Sequence, residues 1–250
     1  MRLGTMTRIL TYNVHRCLGT DGRLDVGRIA ATIAAEEPDI VALQEVDVGR
    51  ARTGGVDQAH RIAEQLKMKS RFHAALKVEE ELYGDAILTC LPERVIKTGP
   101  LPGYRPIPQL EPRGALMVAI EVAPGVEVQV INTHLGLVPK EQQIQAAAVA
   151  GDDWLGHAER RDPLILIGDF NAVARSVVWR TFAVKLNDAT KGRRGEPRIA
   201  TFPSQAPILR IDHVFVSKGV RVTGMHVPAT PLAKVASDHR PLVMDFEIET

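Results

Sequence analysis

Eight short apolar runs recur along the 250-residue chain, and they narrow its possible folds more than any other feature. Their lengths are those of β-strands, and residues 164–167 show no polar alternation, which predicts a strand buried on both faces. Two neighbouring runs are separated by only "APG", which is too short for a helical crossover and predicts a hairpin. The sheets must therefore be mixed rather than wholly parallel. The eight runs are "RILTYNV", "DIVALQEV", "GDAILTC", "GALMVAIEV", "VEVQVINTHL", "PLILIGDF", "RIDHVFVS" and "PLVMDFEIE".

Helical patterns lie between some of these runs. The apolar spacing over residues 25–37 predicts a helix with Asp25 as its N-cap and Pro38 as its stop. A second helix is predicted to start near Asp57, and a third to follow Pro139, which is favourable in a first turn. The residues expected on the inner side of the third helix are Ile144, Ala148 and Leu155.

Two long stretches have the composition of irregular loops. Residues 91–113 contain six prolines, which predicts a stiff loop that is neither strand nor helix. Residues 187–207 contain glycines, prolines and a basic cluster from Lys191 to Arg198, for which a solvated loop and a contact with an anionic substrate both stay open. No change in composition resembles a linker, so we predict one domain over residues 1–250.

The charge balance argues against one broad class of partner. The sequence has 31 basic and 30 acidic residues, a formal net charge of +1 and 4% aromatic residues. It therefore offers no overall field for polyanions and few rings for base stacking, which disfavours a nonspecific nucleic-acid binder.

Targeting and cysteine signals indicate an ordinary reducing compartment. The N-terminal residues lack the apolar core of a signal peptide, and no apolar stretch approaches the length of a membrane span, so we expect a cytoplasmic protein without a transmembrane segment. Cys17 and Cys90 cannot form a disulfide framework, no Cys/His spacing suggests zinc, and both thiols are expected to be buried.

Polar side chains stand at or near the ends of most apolar runs. If the runs lie side by side, these groups gather on one rim, which is costly to dehydrate unless it holds a cation or a polar ligand. Carboxylate and amide oxygens suit magnesium or manganese, and histidines beside aspartates suit proton transfer near neutral pH. The combination points to hydrolysis of a phosphate ester. The residues are Asn13, His15, Gln44, Glu45, Asp47, Asn132, His134, Asp169, Asn171, Asp212, Asp238 and His239.

Six ordered motifs resemble those of the endonuclease/exonuclease/phosphatase superfamily. They are "TYNVH", "LQEVD", "NTHL", "GDFNA", "IDHVFVS" and "SDHRPL", and the resemblance extends from Ile9 to about Phe246. In its other short sequence segments the chain most resembles the bacterial metal-dependent hydrolases of that superfamily, whose sequences also resemble "DGRLDVGRIA", "VDQAHRIAEQL" and "EPRGAL". The resemblance implies an α/β fold of the α+β type, a four-layer sandwich of two mixed β-sheets packed face to face with helices on the outer faces.

The resemblance also implies a divalent metal ion, magnesium or alternatively manganese. Asn13 and Glu45 match the positions that hold the metal, with Glu45 as the principal ligand. Asp238, in the closing motif, matches the acid that lies near the metal.

Five further residues match catalytic positions. His134 matches the side chain that contacts the scissile phosphate, while Asp169 and Asn171 match the pair that orients the attacking water and binds the phosphate. His239 matches a phosphate contact, and Asp212 matches the acid that hydrogen-bonds this histidine. We expect Asp169 to be the base and His239 the electrostatic stabiliser, and the reverse assignment stays open.

The resemblance has one departure, and a few residues carry weaker expectations. Several nuclease members have an acid where this chain has His15, so a second metal position there is in doubt and His15 is expected either to contact substrate or to pack. Arg113 in "EPRGAL" is expected to meet a phosphate, with an ordinary surface arginine as the alternative. Asp57 and Gln58 are candidates for the pocket wall, although Asp57 also fits a helix N-cap. His213 should point away from Asp212 and is interpreted as structural.

The function predicted from these observations is a metal-dependent hydrolase of phosphate esters, most simply a phosphodiesterase. Its substrate is expected to be a small molecule or a lipid head group rather than a nucleic acid. A nuclease acting on DNA or RNA is the alternative, although net charge, aromatic content and His15 argue against it. A non-catalytic binding module is disfavoured because the motif residues of such a protein are expected to be substituted, and none is here.

Overall fold

Twelve β-strands and five α-helices form the part of the chain that the computed structural model describes, residues 6–78, 81–191 and 199–249. The strands are β1 (Thr7–Asn13), β2 (Ile40–Val48), β3 (Lys69–Val78), β4 (Glu81–Thr89), β5 (Glu93–Pro100), β6 (Gly114–Ala123), β7 (Val126–His134), β8 (Leu164–Asp169), β9 (Asn187–Asp188), β10 (Asp212–Val216), β11 (Val220–His226) and β12 (Leu242–Ile248). The helices are α1 (Val26–Ala34), α2 (Gln58–Leu66), α3 (Pro139–Ala150), α4 (Val177–Ala183) and α5 (Pro231–Val235).

The strands pair into two mixed sheets, as expected from the short connections. The first sheet has the order β11-β12-β1-β2-β4-β3 and the second the order β5-β6-β7-β8-β10-β9. In each sheet one pair is parallel, β1 with β2 and β7 with β8, whereas the remaining pairs are antiparallel. The "APG" connection joins β6 to β7 as the predicted hairpin.

Three apolar clusters separate four layers. One cluster lies between the sheets and includes Ile40, Val130 and Ile165. A second joins the first sheet to α1 and α2, and a third joins the second sheet to the helices α3 and α4. All residues of β8 are buried, because both faces of this strand are covered by apolar layers. The architecture is therefore the four-layer α/β sandwich that the resemblance implied.

Two helix predictions need correction. The first helix ends at Ala34 rather than near Glu37, because a residue before proline is driven out of the right-handed helical region, and Glu37 has a φ of 49°. In the third helix the apolar stripe was assigned to the wrong face. Ile144 is 39% exposed, whereas Gln145 is buried and accepts a hydrogen bond from the Gly136 N–H at 2.7 Å. Ala148 is only partly buried, and Leu155 lies beyond the helix end.

Three further expectations were wrong or fall partly outside the described residues. The proline-rich stretch 91–113 contains β5, an edge strand whose proline stands at its last position, where no ladder hydrogen bond is lost. Cys17 is buried as expected, but Cys90 is exposed at the end of β4. In the basic loop, β9 forms within 187–207, while residues 192–198, with Arg193, Arg194 and Arg198, lie outside the described residues.

Candidate active site

The carboxyl ends of the two parallel strand pairs meet at one rim of the sandwich. The β1–β2 register places Asn13 beside Gln44, and the β7–β8 register places His134 beside Asp169. β10 begins at the same rim, with Asp212 paired to Asp169 across the antiparallel ladder. The topology therefore brings polar residues from distant parts of the sequence to a single edge.

A cavity of about 480 Å³ opens at this rim. Nine of the ten predicted site residues line it, and the tenth, Asp212, lies behind its wall and contacts His239. The lining residues among those predicted are Asn13, His15, Glu45, Arg113, His134, Asp169, Asn171, Asp238 and His239. The structure thus brings the predicted residues together, while the role of each one stays a prediction.

Gly168 allows two of these strands to approach closely just before the catalytic candidates. Its φ is 141°, and a Cβ at this position would lie 2.0 Å from the carbonyl oxygen of Thr133 on the neighbouring strand. Only glycine tolerates both conditions. His134 and Asp169, the next residue on each strand, therefore stand side by side.

A β-bulge directs Glu45 into the cavity. The register between β2 and β4 shifts between Leu43 and Val46, and Glu45 has a φ of 59°. Such a bulge reorients a side chain that regular alternation would direct to the other face. Gln44, the residue before it, is buried and donates to Asn132 of the second sheet at 2.7 Å, which ties the two sheets together beneath the cavity.

Asn13 connects two of the carboxylates. Its amide nitrogen donates to Glu45 Oε1 and to Asp169 Oδ2, both at 2.9 Å. The orientation of the amide is fixed because its oxygen accepts the backbone N–H of His15 at 3.0 Å. Asn13 thus directs N–H groups, not its oxygen, toward Glu45 and Asp169, and its predicted role as a metal ligand stays a prediction.

Asp169 is fully buried at the centre of the site. Its carboxylate also accepts the backbone N–H of Asn171 at 2.8 Å, and the Nε2 atoms of His134 and His239 each lie 3.6 Å from its Oδ2. Burial raises the pKa of Asp169, the charge on His239 lowers it, the charge on Asp212 raises it again, and the result is a pKa of about 7. A carboxylate in this range can exchange a proton near neutral pH.

His239 is held by an acid partner. Its Nδ1 donates to Asp212 Oδ2 at 2.9 Å, and the hydroxyl of Thr201 donates to the same oxygen. Burial disfavours the charged ring, but the carboxylates of Asp212 and Asp169 outweigh burial and raise the pKa of His239 to about 10. His239 is therefore an imidazolium at neutral pH.

His134 has the opposite environment. The guanidinium of Arg113 lies 3.0 Å from its Nδ1, and Asn171 Nδ2 lies 3.1 Å from its Nε2. Burial and the charges of Arg113 and His239 hold the pKa of His134 well below its usual range, so the ring is neutral. A neutral imidazole has one acceptor nitrogen, although donors stand at both. Because Arg113 carries a permanent charge, its bond fixes the acceptor at Nδ1 and leaves the proton on Nε2.

The contact between Asn171 Nδ2 and His134 Nε2 consequently places two hydrogen-bond donors next to each other. The amide of Asn171 is oriented by the bond from its Nδ2 to the Leu135 carbonyl at 2.9 Å, so its nitrogen faces the Nε2–H of His134. An anionic oxygen placed near both would accept from each of them. Arg113 itself is buried. Its Nη1 lies 2.9 Å from Glu111 Oε2 and 3.4 Å from Tyr83 Oη, in addition to its contact with His134 Nδ1.

The family model described as the Endonuclease/Exonuclease/phosphatase family matches residues 10–239 of this chain. The chain belongs to this family. The uncharacterized protein YbhP of Escherichia coli strain K12 is 25% identical over 259 residues, which cover 96% of each protein.

Solved structures of the family share the fold. The endonuclease/exonuclease/phosphatase from Beutenbergia cavernae DSM 12333 is 26% identical with a TM-score of 0.73, over 97% of this chain and 72% of that one. The human Nocturnin catalytic domain with bound sulfate anion is 22% identical with a TM-score of 0.71, over 100% of this chain and 97% of that one. This second likeness shows the fold alone.

Several residues that line the cavity escaped the sequence reasoning. Arg16 and Arg52 lie on the wall, as do Tyr83 and Glu111, which contact Arg113. An apolar part of the wall consists of Leu137, Phe202, Leu209 and Ile211. Arg16 directly follows the motif "TYNVH", but only the structure, with its unusual backbone conformation after Asn13, shows that its side chain reaches the cavity.

Three weaker candidates, Asp57, Gln58 and His213, do not line the cavity. Asp57 caps α2 by accepting the His60 N–H at 2.8 Å, and neither Asp57 nor Gln58 lines the cavity. His213 is buried, and its Nε2 bonds to the Ala172 carbonyl at 2.7 Å.

Within the described ranges, none of the helices combines the length and the apolar character that a membrane crossing requires.

Proposed function

We propose that this chain is a divalent-metal-dependent phosphodiesterase in which Asp169 activates a water molecule for in-line attack on phosphorus. The single observation that carries the proposal is the environment of Asp169, a buried carboxylate with one neutral and one charged imidazole at 3.6 Å from the same oxygen. A base, a cation and a neutral donor around one point are what phosphate-ester hydrolysis requires.

Asp169 is the proton acceptor in this proposal. Its pKa of about 7 suits a general base at neutral pH, whereas the imidazolium of His239 has no free acceptor nitrogen. Asn13 and the Asn171 backbone hold the carboxylate in place through bonds of 2.9 and 2.8 Å. The same geometry supports His239 as the electrostatic stabiliser rather than as the base.

Three donors stabilise the additional negative charge on the phosphate. His239 supplies a cation, and Asp212 keeps it charged and fixed in orientation. His134 and Asn171 supply neutral N–H groups that face one another without an acceptor between them, so a phosphate oxygen would satisfy both. Each well-placed donor of this kind contributes roughly a hundredfold to the rate.

The donor set fits a hard divalent cation. Glu45 and Asp238 line the cavity, and among the described residues neither carboxylate forms an ion pair with a lysine or an arginine; each has a histidine nitrogen at 3.9 Å, His134 Nε2 beside Glu45 and His15 Nδ1 beside Asp238. Oxygen donors without thiolates suit magnesium, or manganese as the alternative. Glu45 and Asp238 would therefore hold the ion, which when bound supplies positive charge beside the phosphate oxygens.

A second cluster of close ligand atoms is better explained without a metal. Asp169, Asp212 and His239 offer atoms within 4.8 Å of one another. In that cluster, however, His239 is bonded to Asp212 and is positively charged, and a protonated imidazole does not bind metal. We therefore assign these three residues to proton handling and charge stabilisation.

The substrate class follows from the wall of the cavity. The volume of about 480 Å³ accommodates a phosphate together with its substituents. One side is apolar, and the chain as a whole has no basic excess, which supports a small molecule or a lipid head group over a nucleic acid.

A panel of phosphate esters, assayed with magnesium, manganese and chelator, tests the proposal. It should include aryl phosphodiesters and monoesters, cyclic nucleotides, phospholipid head groups, sugar phosphates, and DNA and RNA. We expect metal-dependent, chelator-sensitive hydrolysis of diesters, and a loss of at least a hundredfold in Glu45→Gln. Glu64→Gln, an exposed glutamate on α2, is the matched control and should retain activity.

Two outcomes would contradict the proposal. Undiminished turnover after chelation would remove the metal requirement, and full activity in Glu45→Gln would remove the assigned ligand. Preferential cleavage of nucleic acid with steep salt dependence would replace the phosphodiesterase with the nuclease alternative.

A further inference from the structure

Among the described residues of the cavity wall, one arginine side chain has no hydrogen-bond or ion-pair partner in the protein. Arg52 is bound to Asp47 through two hydrogen bonds of 2.8 and 2.7 Å, and Arg113 is bound to Glu111 and His134. Arg16 also lines the cavity and is half-buried, yet across the described ranges its guanidinium has neither a hydrogen-bond nor an ion-pair partner. Five N–H donors are thus available at the edge of the site.

The backbone that carries Arg16 is strained. His15, Arg16 and Cys17 have φ values of 45°, 48° and 60°, a run of three non-glycine residues in the left-handed region. Each such residue costs of order 1 kcal/mol and persists only where the surroundings hold it. Strain of this kind concentrates at binding sites, which makes the turn a candidate for function rather than an ordinary loop.

Several contacts hold this turn in place. Asn13 accepts the His15 N–H at 3.0 Å, and the Gln58 side chain donates to the Arg16 carbonyl at 2.7 Å. The Cys17 N–H donates to the Val14 carbonyl at 2.8 Å, and the Cys17 side chain is completely buried in the core below. All these contacts use the backbone or Cys17, so the guanidinium of Arg16 is the part of the turn left for a ligand.

In the proposed mechanism the scissile phosphate already has hydrogen-bond donors and positive charge beside it. The proposed mechanism directs His134, Asn171 and His239 to its oxygens, and a divalent ion held by Glu45 and Asp238 would add positive charge. Arg16, which lines the same cavity, is then available to a substituent of the phosphate. A guanidinium with five free donors recognises a carboxylate or a phosphate through paired hydrogen bonds.

We propose that Arg16 is a specificity-determining residue that binds a second anionic group, a carboxylate or a phosphate, carried by one substituent of the phosphodiester substrate. The proposal rests on the proposed function and narrows it to diesters with an additional negative charge. It also explains why the fold retains a strained turn at this point of the rim.

Matched substrates test the proposal. Ethyl 4-nitrophenyl phosphate and its 2-carboxyethyl and 2-phosphoethyl analogues share one leaving group and differ in the group at the end of the other arm, which is anionic in the two analogues. We expect the wild-type protein to prefer one of the charged analogues over the ethyl diester by about 10- to 100-fold in kcat/KM, and the better analogue identifies the anion. In Arg16→Gln this ratio should fall close to one, and Arg16→Glu should reverse it in favour of a 2-aminoethyl analogue.

The control is Arg23→Gln, an exposed arginine nearby in the chain that does not line the cavity; this variant should keep the wild-type ratio. An equal loss on all three substrates in Arg16→Gln would overturn the proposal, because Arg16 would then bind the scissile phosphate. Unchanged kcat/KM values on all three substrates would overturn it as well, since the arginine would then be only a solvated side chain.

Binding measurements separate this proposal from the proposed function. Calorimetry with the corresponding non-hydrolysable phosphonates needs no turnover. If no diester is hydrolysed, the phosphodiesterase assignment fails, but tighter binding of a charged phosphonate that is lost in Arg16→Gln would still support the anion site. Equal binding of charged and ethyl phosphonates by the wild-type protein would refute it.

Discussion

His134 and His239 occupy equivalent positions around Asp169 but carry different charges. Both rings are buried, and each places Nε2 at 3.6 Å from Asp169 Oδ2. The difference lies at Nδ1, where His239 bonds to the carboxylate of Asp212 and His134 bonds to the guanidinium of Arg113. The pKa of His239 is raised to about 10, whereas that of His134 is held well below its usual range.

This comparison shows that the partner of a catalytic histidine decides its role more than the histidine itself does. An acid partner produces a permanent cation suited to charge stabilisation. A cationic partner produces a neutral ring with a fixed tautomer, which can only donate a hydrogen bond. In the proposed mechanism the two residues therefore supply different interactions to the same phosphate.

The largest expected effect comes from replacing both histidines in the same way. Glutamine at 134 can accept from Arg113 and still donate an N–H toward the cavity, so His134→Gln should lower kcat by only about tenfold. Glutamine cannot carry the charge of His239, so His239→Gln should lower kcat by about a thousandfold. Steady-state kinetics on an aryl phosphodiester at saturating metal measures both values.

Equal losses in the two variants would break the comparison, because the charge on His239 would then have no special importance. Thermal melting monitored by circular dichroism is needed alongside the kinetics. It confirms that both variants are folded, since both side chains are buried.

A smaller effect is expected on the pH dependence of stability in the metal-free protein. The folded pKa of His239 lies above that of the unfolded chain, so its contribution is complete below pH 6.5 and is lost as the pH rises through about 10. Because His239 and Asp169 shift each other's pKa, the comparison is made in an Asp169→Asn background, where Asp212 still raises the pKa of His239. From about pH 7.5 upward, the free energy of unfolding of Asp169→Asn should therefore fall more steeply than that of the double variant Asp169→Asn/His239→Gln. For His134, whose folded pKa is lowered, stability is lost only on the acid side.

Urea unfolding at several pH values in the presence of chelator measures these slopes. Asp169→Asn/His134→Gln serves as the matched control, because it should retain the alkaline slope of Asp169→Asn. An equally steep slope in Asp169→Asn/His239→Gln would show that His239 is not charged in the folded state.

The sequence predicted the Asp212–His239 half of this comparison better than the other half. Asp212 and His239 each belong to a family motif, and the structure places them 2.9 Å apart. The fold was equally accessible, because strand-length runs and the three-residue hairpin connection require mixed sheets. The mixed pairing of the strands follows from local spacing, which a sequence shows directly, whereas the contact between Asp212 and His239 was expected from the resemblance of short motifs to the family.

The contact between Arg113 and His134 could not be predicted from the sequence because a bulge intervenes. The β6–β7 register shifts between Glu121 and Ala123, so the residues that face each other further along the hairpin differ by one from simple counting. A one-residue shift moves every side chain to the opposite face. Whether Arg113 faces His134 therefore depends on this β-bulge, and no residue in the hairpin sequence indicates that the bulge is there.

The same limit applies to Glu45 and to the third helix. The bulge at Glu45 has a positive φ without a glycine to indicate it, so regular alternation would direct this glutamate away from the cavity. In α3, the apolar Ile144 is exposed while Gln145 is buried, because the tertiary hydrogen bond to Gly136 outweighs the apolar pattern. In each case a long-range contact decides the local geometry.

The smallest expected effect concerns the tautomer of His134. Replacing Arg113 by methionine removes the donor at Nδ1, so the Asn171 amide is free to donate to Nε2 and the proton can move to Nδ1. We expect the side-chain nitrogen chemical shifts of His134, measured by NMR in the metal-free protein, to change from an Nε2–H pattern to a mixture, with a decrease in kcat of only a few-fold. Arg113→Lys retains a donor and should keep the Nε2–H pattern. Arg105→Met, an exposed arginine of the same loop, should change neither quantity. An Nε2–H pattern that persists in Arg113→Met would show that Asn171 does not compete for the ring, and the contrast between the two histidines would then reduce to charge alone.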